Sequence, residues 1–262
     1  MDILVCIKQV PDTTDVKMDP ASNTLVRDGL PNIVNPFDKH ALEAAVQLKE
    51  AHGGTVTALC MGPDQAKKAL KECISVGATK AVLISDPAFA GSDTYTTSYI
   101  LANAIKKLGN FDLIICGKQA IDSETAQVGP ALAQQLGIAQ LTYAAKIQVD
   151  GGKVVVNRET DEGYEVVEAQ LPALCTVTKT INEPRFASVK GKMEANKAKI
   201  DVLTPADLPG IDAAKLGLKG SLAKVTKTFV PAKKESGITI KEATDQDAAR
   251  KLVEKLVEAT LI

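Results

Sequence analysis

Through the first half of the chain, four short apolar runs alternate with stretches whose apolar residues recur at helical spacing. The runs are Ile3 to Ile7, Thr55 to Cys60, Ala81 to Ile84 and Leu113 to Cys116. The helical stretches are Asp38 to Ala51, Gln65 to Ser75, Thr94 to Leu108 and about Pro130 to Leu136. Short continuous apolar runs suit strands covered on both faces, as in a parallel sheet. Strand and helix in alternation imply right-handed βαβ units, so the expected class is α/β with a doubly wound, mostly parallel sheet.

Two regions break the alternation. The first connection, Gln9 to Pro36, is long and carries turn residues around Val16-Lys17-Met18 and Thr24-Leu25-Val26, which predicts a β-hairpin-like excursion. After Leu141 come Lys146 to Asp150, Lys153 to Glu159 and Tyr164 to Leu171, separated by Asp150-Gly151-Gly152 and Asp161-Glu162-Gly163. Glycine-containing turns between such runs read as antiparallel hairpins, with Ala173 to Thr178 returning to the main sheet. From Lys197 onward apolar periodicity fades until an amphipathic segment, Asp245 to Leu261. The expected division is a core domain over 1–196 and a C-terminal extension over 197–262, which packs as an arm on this domain or on a partner chain because it lacks a core of its own.

Composition narrows the chemistry. With 262 residues, 45% hydrophobic and 24% charged, the chain has the make-up of an ordinary globular protein. A net charge of −1 and 3% aromatics argue against a nucleic-acid partner, which calls for a basic face or stacking side chains. No apolar stretch reaches the roughly 18 residues of a membrane span, and Ile3 to Ile7 is too short for a signal peptide, so a cytoplasmic location is expected. The five cysteines, Cys6, Cys60, Cys73, Cys116 and Cys175, form no CxxC pair and read as small buried hydrophobes in a reducing compartment. His40 and His52 fall in one helix, which leaves little for a zinc site or a Ser-His-Asp triad.

In a doubly wound sheet, ligands bind beyond the carboxyl ends of the strands. The richest segment there is Gly117-Lys118-Gln119-Ala120-Ile121-Asp122-Ser123-Glu124-Thr125-Ala126-Gln127-Val128-Gly129-Pro130. Proline is tolerated only in a helix's first turn, so Pro130 sets the helix start between Thr125 and Gly129. Free N–H groups there, with the Ser123 and Thr125 hydroxyls and the Gln127 amide, suit a pyrophosphate, and Gly117 lets a ligand approach closely. A plain βα loop with its cap explains the same spacing. Asn35-Pro36-Phe37-Asp38 opens the first long helix, with Asp38 read as its N-cap, although a ligand can also use Asn35 and the local N–H groups. There is no GxxxxGK[ST] loop and no GxGxxG after the first strand, which disfavours P-loop ATPases and ordinary nicotinamide-binding domains. Arg158 and Glu159, on a strand next to an acidic turn, read as an exposed ion pair and Lys190 to Lys199 as a solvated basic face.

Taken together, these segments resemble the beta subunit of electron transfer flavoproteins over nearly the whole chain. The resemblance is carried by Leu4-Val5-Cys6-Ile7-Lys8-Gln9-Val10, Asn35-Pro36-Phe37-Asp38, Met61-Gly62-Pro63, Gly117-Lys118-Gln119-Ala120-Ile121-Asp122, Leu171-Pro172-Ala173 and Asn182-Glu183-Pro184-Arg185-Phe186, in that order and spacing. It implies a Rossmann-like domain and a heterodimer with an alpha subunit that carries a redox FAD. The beta subunit then holds a second nucleotide: structural AMP in respiratory-type members, or a second FAD that accepts hydride from NADH in electron-bifurcating ones. Thr125-Ala126-Gln127-Val128-Gly129-Pro130 resembles the bifurcating pattern, whereas AMP-type members tend to read Asn-Gln-Thr-Gly. A nucleotide-binding module of the universal-stress-protein kind is a third reading, but its glycine spacing is not found here.

By the family's pattern, Cys6, Asn35 to Asp38, Met61 and Gly117 to Val128 map onto the nucleotide site. Asn182, Glu183, Pro184, Arg185, Phe186 and Val189 resemble the loop that docks on acyl-CoA dehydrogenases, with Val189 where the family often has leucine. Glu159 matches a carboxylate associated with orienting the flavin domain, and the C-terminal arm is expected to wrap onto the alpha subunit. The bifurcating reading sends one electron from NADH through the alpha FAD to an acyl-CoA dehydrogenase and the other to ferredoxin or flavodoxin. The cofactor carries the redox chemistry, so no acid or base residue of the chain is nominated.

Overall fold

In a computed structural model of the chain, residues 1–12, 18–19, 24–25, 31–227, 229 and 237–262 are described. The strands are β1 (Asp2–Ile7), β2 (Gln9–Pro11), β3 (Met18–Asp19), β4 (Thr24–Leu25), β5 (Asn32–Val34), β6 (Thr55–Met61), β7 (Lys80–Ile84), β8 (Leu113–Gly117), β9 (Ala139–Asp150), β10 (Lys153–Thr160), β11 (Gly163–Gln170), β12 (Ala173–Val177) and β13 (Asp201–Leu203). The helices are α1 (Pro36–His52), α2 (Lys67–Ser75), α3 (Thr94–Leu108), α4 (Val128–Leu136), α5 (Val189–Lys197), α6 (Gly217–Gly220) and α7 (Asp245–Glu258).

Nine strands make one sheet in the order β11-β10-β9-β12-β8-β1-β6-β7-β13. Its centre, from β12 to β13, is parallel, and β9, β10 and β11 pair antiparallel. The apolar runs of β1, β6 and β8 are buried on both faces because helices cover both. On one face Ile3, Val5 and Ile115 pack with Ala41, Ala45 and Leu70 of α1 and α2. On the other Leu4, Ile114 and Leu174 pack with Ile100, Leu101, Leu132 and Ala133 of α3 and α4. This is the doubly wound sheet that the alternation predicts, and the Rossmann-like domain that the resemblance implies.

β9 changes partner midway. Its first half pairs parallel with β12, and its second half pairs antiparallel with β10. Tyr143 marks the change, with a left-handed φ of 58° and an N–H donated to the Thr176 hydroxyl at 3.1 Å. The expected excursion after β1 is present where it is described: β2 pairs antiparallel with β5, and Met18–Asp19 with Thr24–Leu25. Val16, Lys17 and Val26 lie outside the described residues.

Two elements carry no periodicity that the sequence reading uses. β13, within the stretch expected as extension, joins the main sheet beside β7. The Lys190 to Lys199 stretch is solvated on its basic side, but most of it is helix α5, with Gly191 and Ala195 turned inward. Gly191 is required there, because a Cβ would collide with the Ser75 carbonyl at the end of α2. The compact unit accordingly runs Met1–Thr226, past Asn196, and Lys227–Ile262 form a second unit. The second unit contains α7, capped by Thr244, whose hydroxyl accepts the Asp247 N–H at 3.2 Å. Among the described residues, no helix is long and apolar enough to cross a membrane.

Candidate functional site

Along the sheet, β6 and β7 lie on one side of β1, and β8 and β12 on the other. The winding therefore reverses between β1 and β8, and their carboxyl ends open the crevice where such folds place a ligand. Lys8 follows β1 and Gly117 closes β8. Asp38 joins the two. Its carboxylate accepts the Lys8 N–H at 2.8 Å and the Gly117 N–H at 3.2 Å.

Asp38 does not cap α1. Pro36 takes the first helical position, where a missing N–H costs nothing, so Asn35 becomes the boundary residue and makes no side-chain cap bond. The buried Asn35 amide reaches across instead: it donates to the Gln119 carbonyl at 2.9 Å and accepts the Ile121 N–H at 3.2 Å. Asn35 and Asp38 thus pin the loop after β8 onto the start of α1. Burial pushes the Asp38 carboxyl up to about 7, against the opposing pull of the Lys8 and Gly117 N–H groups, Asn35 and the Lys8 charge. Gly117 is required by the same approach, since a Cβ would meet Asp38 and lie 2.6 Å from the Phe37 Cβ.

Beyond Gly117 the loop turns on itself. The Ala120 carbonyl accepts the N–H groups of Ser123 and Glu124 at 3.3 and 2.8 Å. Asp122 accepts the Lys8 ammonium at 2.6 Å, which ties the loop to the end of β1. Glu124 and Ala126 both sit in the left-handed region, at φ 51° and 53°. Such single residues are a feature of functional loops, where surrounding structure holds an unfavourable backbone. Ser123, Glu124, Thr125 and Gln127 are exposed, and Gln127 accepts the Thr94 hydroxyl of α3 at 2.9 Å. α4 starts at Val128, inside the interval that Pro130 sets, and no side chain caps it. Its first-turn N–H groups, beside two hydroxyls and left-handed residues, make a donor set that fits a phosphate or pyrophosphate.

The remaining nominated residues border this crevice or lie away from it. Cys6 is the penultimate residue of β1, and half-buried Met61 ends β6. Lys118 lies 4.7 Å over the Tyr143 ring, and Lys179 lies 4.7 Å over Phe37. Glu159 accepts the Thr180 hydroxyl at 2.5 Å, and Thr180 is in turn bonded to Thr178 at 2.8 Å. Arg158 pairs with Glu165 across β10 and β11 at 3.1 Å and not with Glu159, because adjacent residues of a strand point to opposite faces.

The segment from Asn182 to Val189 is anchored on α1. The Asn182 amide donates to the His40 carbonyl at 3.0 Å, and its backbone oxygen lies 2.8 Å from the His40 ring. Arg185 grips Glu43 with Nε at 2.8 Å and Nη2 at 3.0 Å, and Glu50 with Nη1 at 2.6 Å. Glu43 is buried, which alone raises a carboxyl, but the guanidinium and backbone N–H of Arg185 hold it below the usual range. The clamp presents Phe186 at 98% exposure and Val189 at 79%. Glu183 is exposed and Pro184 half-buried beside it.

Lys8, Glu43, Glu50 and Thr180 are among the partners that the sequence does not single out as site residues, with His40, Thr94, Tyr143 and Lys179. Glu43 and Glu50 stand seven apart on α1, one face of a helix, and that spacing is a signal available in the sequence. Nothing local marks Thr180.

A family model described as "Electron transfer flavoprotein domain" matches residues 22–208. The chain is 50% identical to "Electron transfer flavoprotein subunit beta" of Megasphaera elsdenii, over 100% of both chains. It is 45% identical to "Caffeyl-CoA reductase-Etf complex subunit CarD" of Acetobacterium woodii, again over 100% of both, and 41% identical to "Protein FixA" of Azorhizobium caulinodans, over 98% of this chain and 94% of that one. With the doubly wound sheet and the crevice at its reversal point, these likenesses establish that the chain belongs to the electron transfer flavoprotein family, among its beta subunits.

Proposed function

We propose that this chain is the beta subunit of a heterodimeric, electron-bifurcating flavoprotein, in which the crevice between β1 and β8 holds FAD. The carrying observation is the loop from Ser123 to Val128: two left-handed residues and the uncapped start of α4 form a donor set for a pyrophosphate. AMP has a single phosphate and uses fewer of these donors. When bound, the FAD supplies the capacity to take two electrons as hydride from NADH and release them singly. The chain's own residues bind, orient and exclude water. Asn35 and Asp38 fix the loop against α1, Lys8 through Asp122 fixes it against β1, and Gly117 admits the close approach of Phe37 and Asp38.

The same reading gives Phe186 and Val189 the role of docking on an acyl-CoA dehydrogenase, with the Arg185 clamp holding them out. The relative named for a caffeyl-CoA reductase complex supports a partner that handles CoA thioesters. Glu159, braced by Thr180, assists in orienting the flavin domain, and the second unit packs on the alpha subunit through α7, whose Leu252, Val253 and Val257 are exposed. Ferredoxin or flavodoxin takes the low-potential electron, in the cytoplasm. The test is nucleotide content of the co-expressed heterodimer, released by denaturation and separated by chromatography. FAD from both subunits without AMP is expected. AMP in place of the second FAD overturns the bifurcating reading and leaves a simple electron carrier.

A further inference from the structure

The sheet sets two of the five cysteines side by side at its reversal point. β1 and β8 pair in parallel with Leu4 opposite Ile114 and Val5 opposite Ile115, and the next step of that register brings Cys6 beside Cys116. Strand alternation turns both toward α3 and α4, where Cys6 packs against the cluster that contains Cys116. Cys60 and Cys175 belong to the cluster on the opposite face. Neighbouring strands run about 4.7–4.9 Å apart, inside the roughly 4.4–6.8 Å between Cα atoms that a disulfide spans.

The environments of the two thiols differ. Cys6 is half-buried at the edge of the crevice, whereas Cys116 is buried. Cys116 lies under α4, and a Cβ on Gly129 would come 3.8 Å from its own. The hydrogen bond to the Cys6 side chain, and then burial, push the Cys116 thiol well above its ordinary range, so Cys116 keeps its proton while Cys6 meets solvent. One thiol is placed to react first and its neighbour to resolve the product, the arrangement of reversible thiol switches.

We propose that Cys6 and Cys116 form a reversible disulfide by exchange with a low-molecular-weight disulfide of the glutathione class. The Cys6 thiolate attacks one sulfur of that disulfide, whose S–S bond breaks and releases a first thiolate. Cys116 then gives up its proton to that thiolate and attacks the Cys6 sulfur, and the second thiolate leaves and takes up the proton that Cys6 lost. Two protein thiols are oxidised by two electrons and the small disulfide is reduced to two thiols. The bond joins β1 to β8 where Lys8 and Gly117 leave the sheet, so oxidation acts at the base of the crevice. The pairing needs the fold alone, whichever nucleotide binds; because Cys6 borders the crevice, a bound nucleotide is expected to slow the exchange without changing its product.

The test treats the purified full-length protein with buffers of graded reduced and oxidised glutathione, then quenches in acid, alkylates, digests and maps peptides by mass. Free thiols should fall from five to three, with the Cys6 and Cys116 peptides joined and released again by dithiothreitol. In Cys116→Ser, Cys6 should stop at a glutathione adduct; in Cys6→Ser, Cys116 should stay reduced. A wild type that stops at the Cys6 adduct, that yields both peptides alkylated, or that cross-links only after denaturation overturns the proposal.

Discussion

Replacing Asp38 with asparagine should remove a pH dependence that runs opposite to that of most paired carboxylates. Burial raises the folded carboxyl from 3.8 to about 7. At about 1.36 kcal/mol per unit, the shift corresponds to about 4 kcal/mol between the two ends of the titration. The folded state holds this proton to higher pH than the unfolded chain does. The contribution is therefore complete below pH 4 and is lost as pH rises through 7. Between pH 5 and 8 the loss comes to about 3 kcal/mol. The asparagine of the variant does not titrate, and it meets one of the two backbone N–H groups with an N–H of its own, a pH-independent penalty of about 1–3 kcal/mol. The assay is urea unfolding of wild type and Asp38→Asn from pH 5 to 8, followed by circular dichroism. The unfolding free energy of wild type minus variant should fall by about 3 kcal/mol across that range. A constant difference would refute the placement of a near-neutral carboxyl between Lys8 and Gly117, and a rising one would mean that their N–H groups outweigh burial.

Three further outcomes follow from contacts around the crevice and the clamp. Arg185→Ala leaves buried Glu43 without its cation and should cost about 2–4 kcal/mol in urea unfolding, with much of it regained in Arg185→Ala/Glu43→Gln, which removes the stranded charge. Gly117→Ala forces Phe37 and Asp38 away and should cost about 1–3 kcal/mol together with weaker nucleotide retention through gel filtration. Lys8→Met breaks a half-exposed ion pair, so stability should move by less than about 1 kcal/mol while nucleotide dissociates faster in stopped-flow displacement.

The parallel half of the fold is legible in the sequence because each buried strand is an unbroken apolar run and each helix has one apolar stripe. Pro130 likewise marks the start of α4 to within a few residues, through its missing N–H. β13 is not legible: three residues, two of them exposed, carry no period, and only the open edge of β7 recruits them. α5 reads as a charged face because its inward positions are Gly191 and Ala195, too small to register as an apolar stripe. At the site, the residue types are visible and their partners are not. Asp38 looks like a cap because its sequence position allows it, and only the approach of β1 and β8 shows that its carboxylate serves two strand ends. The pairing of Cys6 with Cys116 is a property of strand register and has no signature in spacing along the chain.

The claim that this subunit holds a flavin that takes hydride from NADH meets its most direct test in an anaerobic titration of the purified heterodimer with NADH, read as loss of flavin absorbance. The account predicts bleaching that continues beyond the equivalents needed by the alpha-subunit FAD alone. Flavin absorbance that NADH leaves unchanged, in a preparation that dithionite bleaches fully, would contradict it.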